Sequence, residues 1–277
     1  MPGSRVPVVF IHGLWLHSSS WQPWADYFRA AGFDPIMPEW PGVPDTVAEA
    51  RAHPESQAGI GIEQVIDHFA GIVQGLPRPP VLVGHSFGGL VVQALLDRGL
   101  GRAGIAIDPA PIRGVVRLPV AQLRAALPAL RNPGNRKRAV SLTPSQFRYG
   151  FGNALPPEEA DRLHELWTIP SPARPLFQAA VANTTPRSRA ATAVDTRRGD
   201  RAPLLIISGG ADHTVPDSVS RATYKLYGKS AAVTEFRQFP DRGHSLTVDA
   251  GWSEIAQAGL DWLAKQGIPE RSGNGAG

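Results

Sequence analysis

The sequence predicts an α/β protein with a doubly wound, mainly parallel sheet of about six strands and a helical insertion. Short apolar segments recur along the chain, and helical patterns lie between most of them, which is typical of a parallel sheet covered by helices on both faces. Nearly a hundred residues separate the fourth segment from the fifth, far more than a simple crossover needs. The six candidate strands are Val6–Ile11, Phe33–Met37, Val81–Val83, Gly104–Ile107, Leu204–Ser208 and Val233–Phe239.

The composition indicates one globular domain with an insertion. The chain has 277 residues, 42% of them hydrophobic, and a formal net charge of +4. This length suits a single domain, and this hydrophobic fraction supplies a sizeable core. So small a net charge does not predict a nucleic-acid partner. We interpret the one local basic cluster, Arg-Asn-Pro-Gly-Asn-Arg-Lys-Arg at positions 131–138, as a solvated loop.

Cysteine content and hydropathy limit the compartment and the chemistry. The chain has no cysteine, which excludes disulfides, thiolate metal sites and a cysteine nucleophile, and agrees with a cytoplasmic location. The N-terminal region shows no apolar signal segment, because Val6–Ile11 is short and Pro7 interrupts it. No apolar run approaches membrane-spanning length, so we predict no membrane partner. The Gly- and Ser-rich tail 269–277 is predicted to be flexible.

The first candidate strand ends in a turn suited to catalysis. Its apolar residues lead directly into His12-Gly13-Leu14-Trp15. Acyl transfer needs two backbone N–H donors for the negative charge that develops on the carbonyl oxygen. Leu14 would supply one of them, with His12 bracing the loop.

The most informative motif follows the third candidate strand. Positions 84–88 are Gly-His-Ser-Phe-Gly, with an apolar strand before them and an apolar helical pattern after them. Gly-x-Ser-x-Gly in this context is typical of a sharp turn that exposes the serine hydroxyl in a strained backbone conformation. Ser86 is therefore the candidate nucleophile, and the N–H of Phe87 is the candidate for the second oxyanion donor.

Two aspartates follow candidate strands and could orient a histidine. Asp212 lies in the glycine-rich loop after Leu204–Ser208, and Asp108 directly follows Gly104–Ile107. We favour Asp212 because of its local sequence, and Asp108 stays open as the alternative. A comparison of Asp108→Asn with Asp212→Asn would decide between them.

The candidate base is a histidine near the end of the chain. His244 lies on the loop that follows Val233–Phe239 and precedes an amphipathic helical pattern over Gly251–Lys265. A loop position makes the imidazole available for catalysis. It also completes the chain order Ser, Asp, His.

The long insertion is predicted to be helical. Its Thr143-Pro144 and Leu155-Pro156 sequences are typical of helix starts, with proline and acidic residues in the first turn. The predicted helices are Val120–Leu130, Pro144–Phe151, Pro156–Trp167 and Pro175–Ala182.

Together these motifs resemble those of the α/β-hydrolases, in particular compact bacterial carboxylesterases, lactonases and cofactor-free haloperoxidase-like enzymes. The resemblance covers residues 6 to about 265. Only five residues precede the first candidate strand, so the resemblance implies a sheet built from the family's strands three to eight. It implies a hydrolase core over residues 1–112 and 190–268, with a helical cap over 113–189.

Such a cap would roof the catalytic residues, exclude water and shape the substrate pocket. The candidate pocket residues are Trp15, His85, Phe147, Phe151 and Trp167. For each of the aromatic residues in the cap, packing of the cap onto the core is the alternative role.

The residues and the resemblance together predict a serine hydrolase that cleaves a small to medium, largely apolar carboxylic ester or lactone. Ser86 would attack the carbonyl carbon, His244 would take its proton, and Asp212 would orient the imidazole. The N–H groups of Leu14 and Phe87 would receive the oxyanion. This chemistry needs neither a cofactor nor a metal ion, and its only predicted partner is the small-molecule substrate.

Two other classes of function stay open. The same triad can cleave carbon–carbon bonds in diketones or form peracids, as in haloperoxidase-like perhydrolases. A hydrolase-fold receptor or scaffold with little turnover is the other alternative. A serine nucleophile argues against haloalkane dehalogenases and epoxide hydrolases, which use aspartate.

Overall fold

The computed structural model describes residues 5–268 and confirms the predicted α/β architecture. The strands in chain order are β1 (Val6–Ile11), β2 (Phe33–Ile36), β3 (Val81–His85), β4 (Ala103–Ile107), β5 (Ala139–Val140), β6 (Ser171–Pro172), β7 (Leu204–Gly209) and β8 (Thr234–Phe239). Six of them form a parallel sheet in the order β2-β1-β3-β4-β7-β8. The predicted tail 269–277 lies outside the described residues.

The helices flank the sheet and fill the long insertion. In chain order they are α1 (Gln22–Ala30), α2 (Val47–Ala52), α3 (Ile62–Gln74), α4 (Phe87–Asp97), α5 (Val120–Leu130), α6 (Pro144–Gly150), α7 (Pro157–Trp167), α8 (Arg174–Ala180), α9 (Asp217–Leu226) and α10 (Trp252–Lys265). Within residues 5–268, none is long and apolar enough to cross a bilayer.

Each face of the sheet packs against its own apolar layer of helices. Val8 and Phe10 of β1 pack in one cluster with residues of α1 and α10. Val9 and Ile11 pack in the other, with residues of α3 and α4. Successive side chains of a strand point to opposite faces, so a sheet buried on both faces needs apolar residues at every position. This explains why β1 is continuously apolar rather than alternating.

The insertion between β4 and β7 contains all four predicted helices and a small sheet that the sequence analysis missed. β5 and β6 pair antiparallel over two residues each, too few to produce an alternating pattern. The insertion is fastened to the loop after β1. Trp15 donates its backbone N–H to Ser171 Oγ at 2.7 Å and its indole N–H to the Val140 carbonyl at 2.9 Å.

The parallel topology determines where functional groups converge. Parallel strands all end at the same edge of a sheet, and ligand sites of such sheets lie outside that edge. The loops after β1, β3, β4, β7 and β8 carry the candidate residues of the sequence analysis. The fold therefore brings segments together that are more than two hundred residues apart in the chain.

Candidate active site

Ser86 lies on a tight turn between β3 and α4. Its backbone has φ 56° and ψ −120°, a positive φ that residues with a β-carbon rarely adopt. Gly88 allows the turn to press against β1, since a β-carbon there would lie 2.0 Å from the Ile11 carbonyl oxygen. The strand, strained turn and helix predicted around Ser86 are all present.

The loop after β1 packs directly on this turn. A β-carbon at Gly13 would lie 2.7 Å from Ser86 Cβ and 2.9 Å from the His85 carbonyl oxygen. His12 braces the loop, with Nδ1 2.8 Å from the Gly13 carbonyl oxygen and Nε2 3.1 Å from the Glu39 carboxylate. Burial alone would raise the pKa of Glu39, but the hydrogen bond with His12 helps to hold that pKa below its ordinary value.

Two backbone N–H groups near Ser86 are free to donate. The N–H groups of Leu14 and Phe87 have no acceptor among residues 5–268. Phe87 is the first residue of α4, and the leading N–H groups of a helix have no partner within it. Leu14 follows Gly13, which contacts Ser86. Both donors therefore belong to the segments that meet at the serine.

His244 and Asp212 form a completely buried pair. Nδ1 of His244 lies 2.6 Å from Oδ2 of Asp212. Oδ1 of Asp212 accepts the N–H groups of Thr214 at 2.6 Å and Val215 at 2.9 Å. A carboxylate can only accept, so Nδ1 of His244 carries the proton. Nε2 of His244 is buried and has no hydrogen-bond partner within residues 5–268, which leaves it available to accept a proton.

Asp108 is a second buried carboxyl group beside this pair. It has a φ of 40°, and its Oδ1 accepts the Gly209 N–H at 2.8 Å. No described residue forms a hydrogen bond with its Oδ2. Burial raises the pKa of Asp108 well above its ordinary value, and the neighbouring Asp212 raises it further. Asp212 accepts three hydrogen bonds, whereas the raised pKa of Asp108 favours its neutral carboxylic acid form.

The same three side chains could be taken for a metal site. One potential ligand atom from each of Asp108, Asp212 and His244 lies within 4.8 Å of the others. Two ligands of one tetrahedral zinc ion are about 3.4 Å apart, given bonds of about 2.1 Å. The 2.6 Å between Asp212 and His244 is shorter and fits a hydrogen bond. The cluster therefore fits proton sharing better than metal binding.

Two aromatic rings pack against His244. The ring centroid of His85 lies 4.4 Å from that of His244, and the centroid of Phe151 lies 4.7 Å away. Burial lowers the pKa of His85 well below its ordinary value, and His244 lowers it further. The lowered pKa favours the neutral form of His85, whose ring packs on the ring of His244. Phe151 stacks in turn on Phe147 at 4.9 Å between centroids.

An apolar cavity of about 230 Å³ reaches Ser86 and Phe87. Its walls come from the loop after β4, from α5 and from the end of α8, and most of the lining side chains are aliphatic. The polar lining residues other than Ser86 are Arg117, Gln122, Asn183 and Thr214. Such a cavity accepts an apolar group much better than a charged one.

The structure places the five predicted pocket residues in different surroundings. Trp15 lines the cavity. His85 and Phe151 are buried against His244, and Phe147 is buried against Phe151; none of the three is among the described lining residues. Trp167 borders a separate cleft near Trp252.

Sequence reasoning missed Glu39 and the contribution of α5 to the cavity. The alanines of α5 could have indicated the cavity, because small side chains on a helix leave room beside it. Ala125 and Ala126 line the cavity. No comparable signal pointed to Glu39, which lies in the loop after β2 and meets His12 only through the fold.

Comparisons with known proteins agree with this architecture. The sequence model of the alpha/beta hydrolase family matches residues 8–258. No curated protein matches the chain at a significant level. Among solved structures, a monoacylglycerol lipase from Paleococcus ferrophilus is 23% identical over 94% of each chain, with a TM-score of 0.65. A methylesterase from Arabidopsis is 16% identical, with 94% of this chain and 99% of that one covered and a TM-score of 0.64.

A thermophilic esterase from Thermogutta terrifontis is 20% identical, with 95% of this chain and 91% of that one covered and a TM-score of 0.63. At these identities the structural likenesses establish the fold alone. The family match is broader evidence, because it spans Ser86, Asp212 and His244 together with almost the whole parallel sheet. On both grounds, the chain belongs to the alpha/beta hydrolase family.

Proposed function

We propose that this hydrolase is a serine esterase that cleaves small to medium, largely apolar carboxylic esters or lactones. The observation that carries the proposal is the buried, unpartnered Nε2 of His244. Its ring is oriented through Nδ1 by Asp212 and packs against His85, the residue that precedes Ser86. Within residues 5–268 no hydrogen bond joins this nitrogen to the Ser86 hydroxyl. A buried nitrogen without a partner is costly, and a serine hydroxyl brought within reach is a natural donor for it.

The proposed reaction begins with attack of Ser86 Oγ on the ester carbonyl carbon. Nε2 of His244 takes the hydroxyl proton, and Asp212 stabilises the imidazolium that forms. The carbonyl oxygen becomes an oxyanion, and the free N–H groups of Leu14 and Phe87 support its stabilisation at that point. Collapse of this intermediate breaks the bond to the alcohol oxygen, which leaves with the proton from His244.

The second half of the reaction releases the acid. A water molecule loses a proton to His244 Nε2 and attacks the acyl-enzyme carbonyl. The acid departs as Ser86 recovers its proton. All proton transfers use one imidazole nitrogen, so the reaction requires no further acid or base.

The cavity supports an apolar substrate. Its aliphatic walls lie over Ser86 and Phe87, where the acyl or alcohol group of a bound ester would extend. We propose that residues 113–189 form a cap over a core of residues 1–112 and 190–268. The contacts of Trp15 with Val140 and Ser171 support this division, because they join the cap to the loop of Leu14.

Hydrolysis of p-nitrophenyl butyrate by two variants tests the proposal. Ser86→Ala and His244→Ala should each lower kcat by about 10⁶-fold, and the double variant should lose little more, because the residues act as a unit. Circular dichroism would show that each variant is folded.

Matched controls exist on the surface. Ser141→Ala and His53→Ala change an exposed serine and an exposed histidine, and both should keep wild-type turnover. Full activity of Ser86→Ala would overturn the mechanism. A wild-type protein that hydrolyses no member of a panel of esters with varied acyl length would overturn the proposed activity and favour a receptor.

A further inference from the structure

Helix α5 presents its larger aliphatic side chains to solvent. Val120 is 81% exposed, Leu123 44% and Leu127 54%. Their spacing of three and four residues places them on one stripe of the helix. The cavity over Ser86 is lined from this helix by Ala125 and Ala126, and by Gln122, Leu123 and Leu130. A surface helix normally buries its large aliphatic residues, so the exposure of Val120, Leu123 and Leu127 is unusual.

The exposed apolar surface continues into the segment before α5. Val116 is 81% exposed and Leu118 is 66% exposed, and both also line the cavity. We call the exposed stripe of α5 together with Val116 and Leu118 the apolar rim. Exposed apolar residues that are contiguous in this way mark an interaction surface, whereas scattered ones do not. Because the apolar rim borders the cavity, whatever covers it lies beside the route to Ser86.

The ionisable residues of this region are almost all positively charged. Between Asp108 and Glu158 the sequence has eight arginines and lysines and no acidic residue. The whole chain has a formal charge of +4, so the rest of it carries −4. The basic cluster 131–138, interpreted from sequence as a solvated loop, belongs to this segment.

Most cations of the segment are exposed, and one of these, Arg124, also lies over the Tyr149 ring, 4.0 Å from its centroid. Six of them are exposed, and none of the six forms an ion pair with a carboxylate within residues 5–268. Arg124 and Arg131 follow the exposed stripe of α5 at helical spacing. The six are Arg117, Arg124, Arg131, Arg136, Lys137 and Arg138.

We propose that the apolar rim and the cations around it dock on an anionic lipid surface, from which an apolar ester enters the cavity over Ser86. An apolar helix face flanked by arginine and lysine is the pattern of helices that lie in the plane of a membrane interface. Anionic headgroups would pair with the free cations while Val120, Leu123 and Leu127 enter the acyl boundary. The expectation of no membrane partner rested on spanning segments, and this contact needs none.

Docking would give the esterase its substrate directly. The role in substrate delivery rests on the proposed function, whereas binding to the lipid does not. Val116, Leu118 and Leu123 are exposed and also line the cavity, so an apolar ester could pass along them from the lipid into the site. The proposal therefore names the substrate class as esters that partition into lipid.

Co-sedimentation with vesicles tests the docking. Wild-type protein should bind vesicles made of equal parts phosphatidylcholine and phosphatidylglycerol, and bind phosphatidylcholine vesicles at least about tenfold more weakly. Added salt should weaken the binding. Equal binding to both vesicles, or no binding to the anionic ones, would overturn the proposal.

Variants outside the cavity locate the surface. Arg136→Glu with Lys137→Glu should lower the partition coefficient by about tenfold or more, since each cation near an anionic surface is worth about 1 kcal/mol. Leu127→Ser should also lower it. The matched controls are Arg237→Glu with Lys265→Glu, and Val233→Ser, which change exposed residues of β8, α10 and the turn before β8. If the test and control variants lowered the partition coefficient equally, the assigned surface would be wrong.

Three further measurements distinguish lipid docking from catalysis, from polyanion binding and from dimerisation. Ser86→Ala should bind vesicles like wild type, so loss of ester turnover and loss of docking are independent results. If double-stranded DNA bound as tightly as the anionic vesicles, and Leu127→Ser did not weaken the vesicle binding, the patch would be a polyanion site and the proposal wrong. A dimer in solution that Leu127→Ser dissociates would assign the apolar rim to a second copy of the chain instead.

Discussion

Backbone strain in this protein is concentrated where the chemistry is proposed. Among residues 5–268, three residues with a β-carbon have a positive φ: Trp15, Ser86 and Asp108. Each comes directly after or soon after a strand of the central sheet, and all three belong to the candidate site. Strained conformations of this kind cost about 1–3 kcal/mol and persist only where the surrounding structure enforces them.

The two buried aspartates should differ sharply in their effect on catalysis. Asp212→Asn should lower kcat by about 10⁴-fold, because the amide can no longer hold His244 in the productive tautomer. Asp108→Asn should stay within about tenfold of wild type, because a neutral amide replaces a neutral carboxylic acid. Kinetics with p-nitrophenyl butyrate compare them. A larger loss in Asp108→Asn would mean that Asp108 is the acid of the triad.

Asp108 should also make stability depend on pH. An unfolded aspartate ionises near a pKa of about 3.9, whereas folding raises the pKa of Asp108 well above that. Above about pH 4 the folded state therefore binds more protons than the unfolded state, and the free energy of unfolding falls as pH rises.

The Asp108→Asn variant should lose this dependence. Its free energy of unfolding should fall less steeply than that of wild type, by up to about 1.4 kcal/mol per pH unit. Urea denaturation at a series of pH values measures the difference. Identical slopes in the two proteins would show that Asp108 is ionised in the folded state.

The residues of the site were predictable to different degrees. Ser86 and His244 are predicted from local motifs and chain order, and in the structure Nδ1 of His244 lies 2.6 Å from Oδ2 of Asp212. The raised pKa of Asp108 could not be foreseen from the sequence. It depends on burial and on the position of Asp212, which only the packed structure determines. The roles of Phe147 and Phe151 depend equally on tertiary contacts, since any aromatic residue of the insertion could have lined the cavity.

At the scale of elements, the site depends on how closely two strand ends approach each other. The loop after β1 and the turn after β3 touch through Gly13 and Ser86, and only a hydrogen atom fits between them. A helix tolerates replacement of a glycine by alanine better when the new methyl group would face open space. Gly71 of α3 is a glycine of that kind, since a β-carbon there would meet nothing within 4 Å.

Gly13→Ala should therefore damage the site. The new methyl group would displace Ser86 or the loop of Leu14, and a misplacement of about 1 Å can cost about 100-fold in rate. Gly71→Ala is the control, and it should leave kcat unchanged while raising the free energy of unfolding by about 0.5–1 kcal/mol. Turnover of p-nitrophenyl butyrate and urea denaturation check both variants. Wild-type kcat in Gly13→Ala would show that this contact does not position the serine.

Most elements of the fold could be predicted because their patterns are long and strongly apolar. The six main strands and the four helices of the insertion appear within two residues of their predicted bounds. The pairing of β5 with β6 could not be predicted, because two-residue strands leave no periodic signal. The exposure of Leu123 and Leu127 could not be predicted either, since an apolar stripe on a helix usually predicts a buried face.

At the scale of the whole molecule, one edge of the sheet collects every part of the proposed machinery. The loops after β1, β3, β4, β7 and β8 contribute the N–H donors, the serine, the two aspartates and the histidine. The insertion adds most of the cavity walls and six exposed cations that form no ion pair within the described residues. The proposed substrate entry and the proposed chemistry thus lie on the same side of the molecule.

Labelling with a fluorophosphonate probe, followed by mapping of the modified peptide, tests the central claim most directly. The probe reacts with a serine that a neighbouring base has activated. We predict one label per wild-type chain, on Ser86, no label in Ser86→Ala, and labelling about 10⁴-fold slower in His244→Ala. A label on another residue, or an unchanged labelling rate in His244→Ala, would contradict the account.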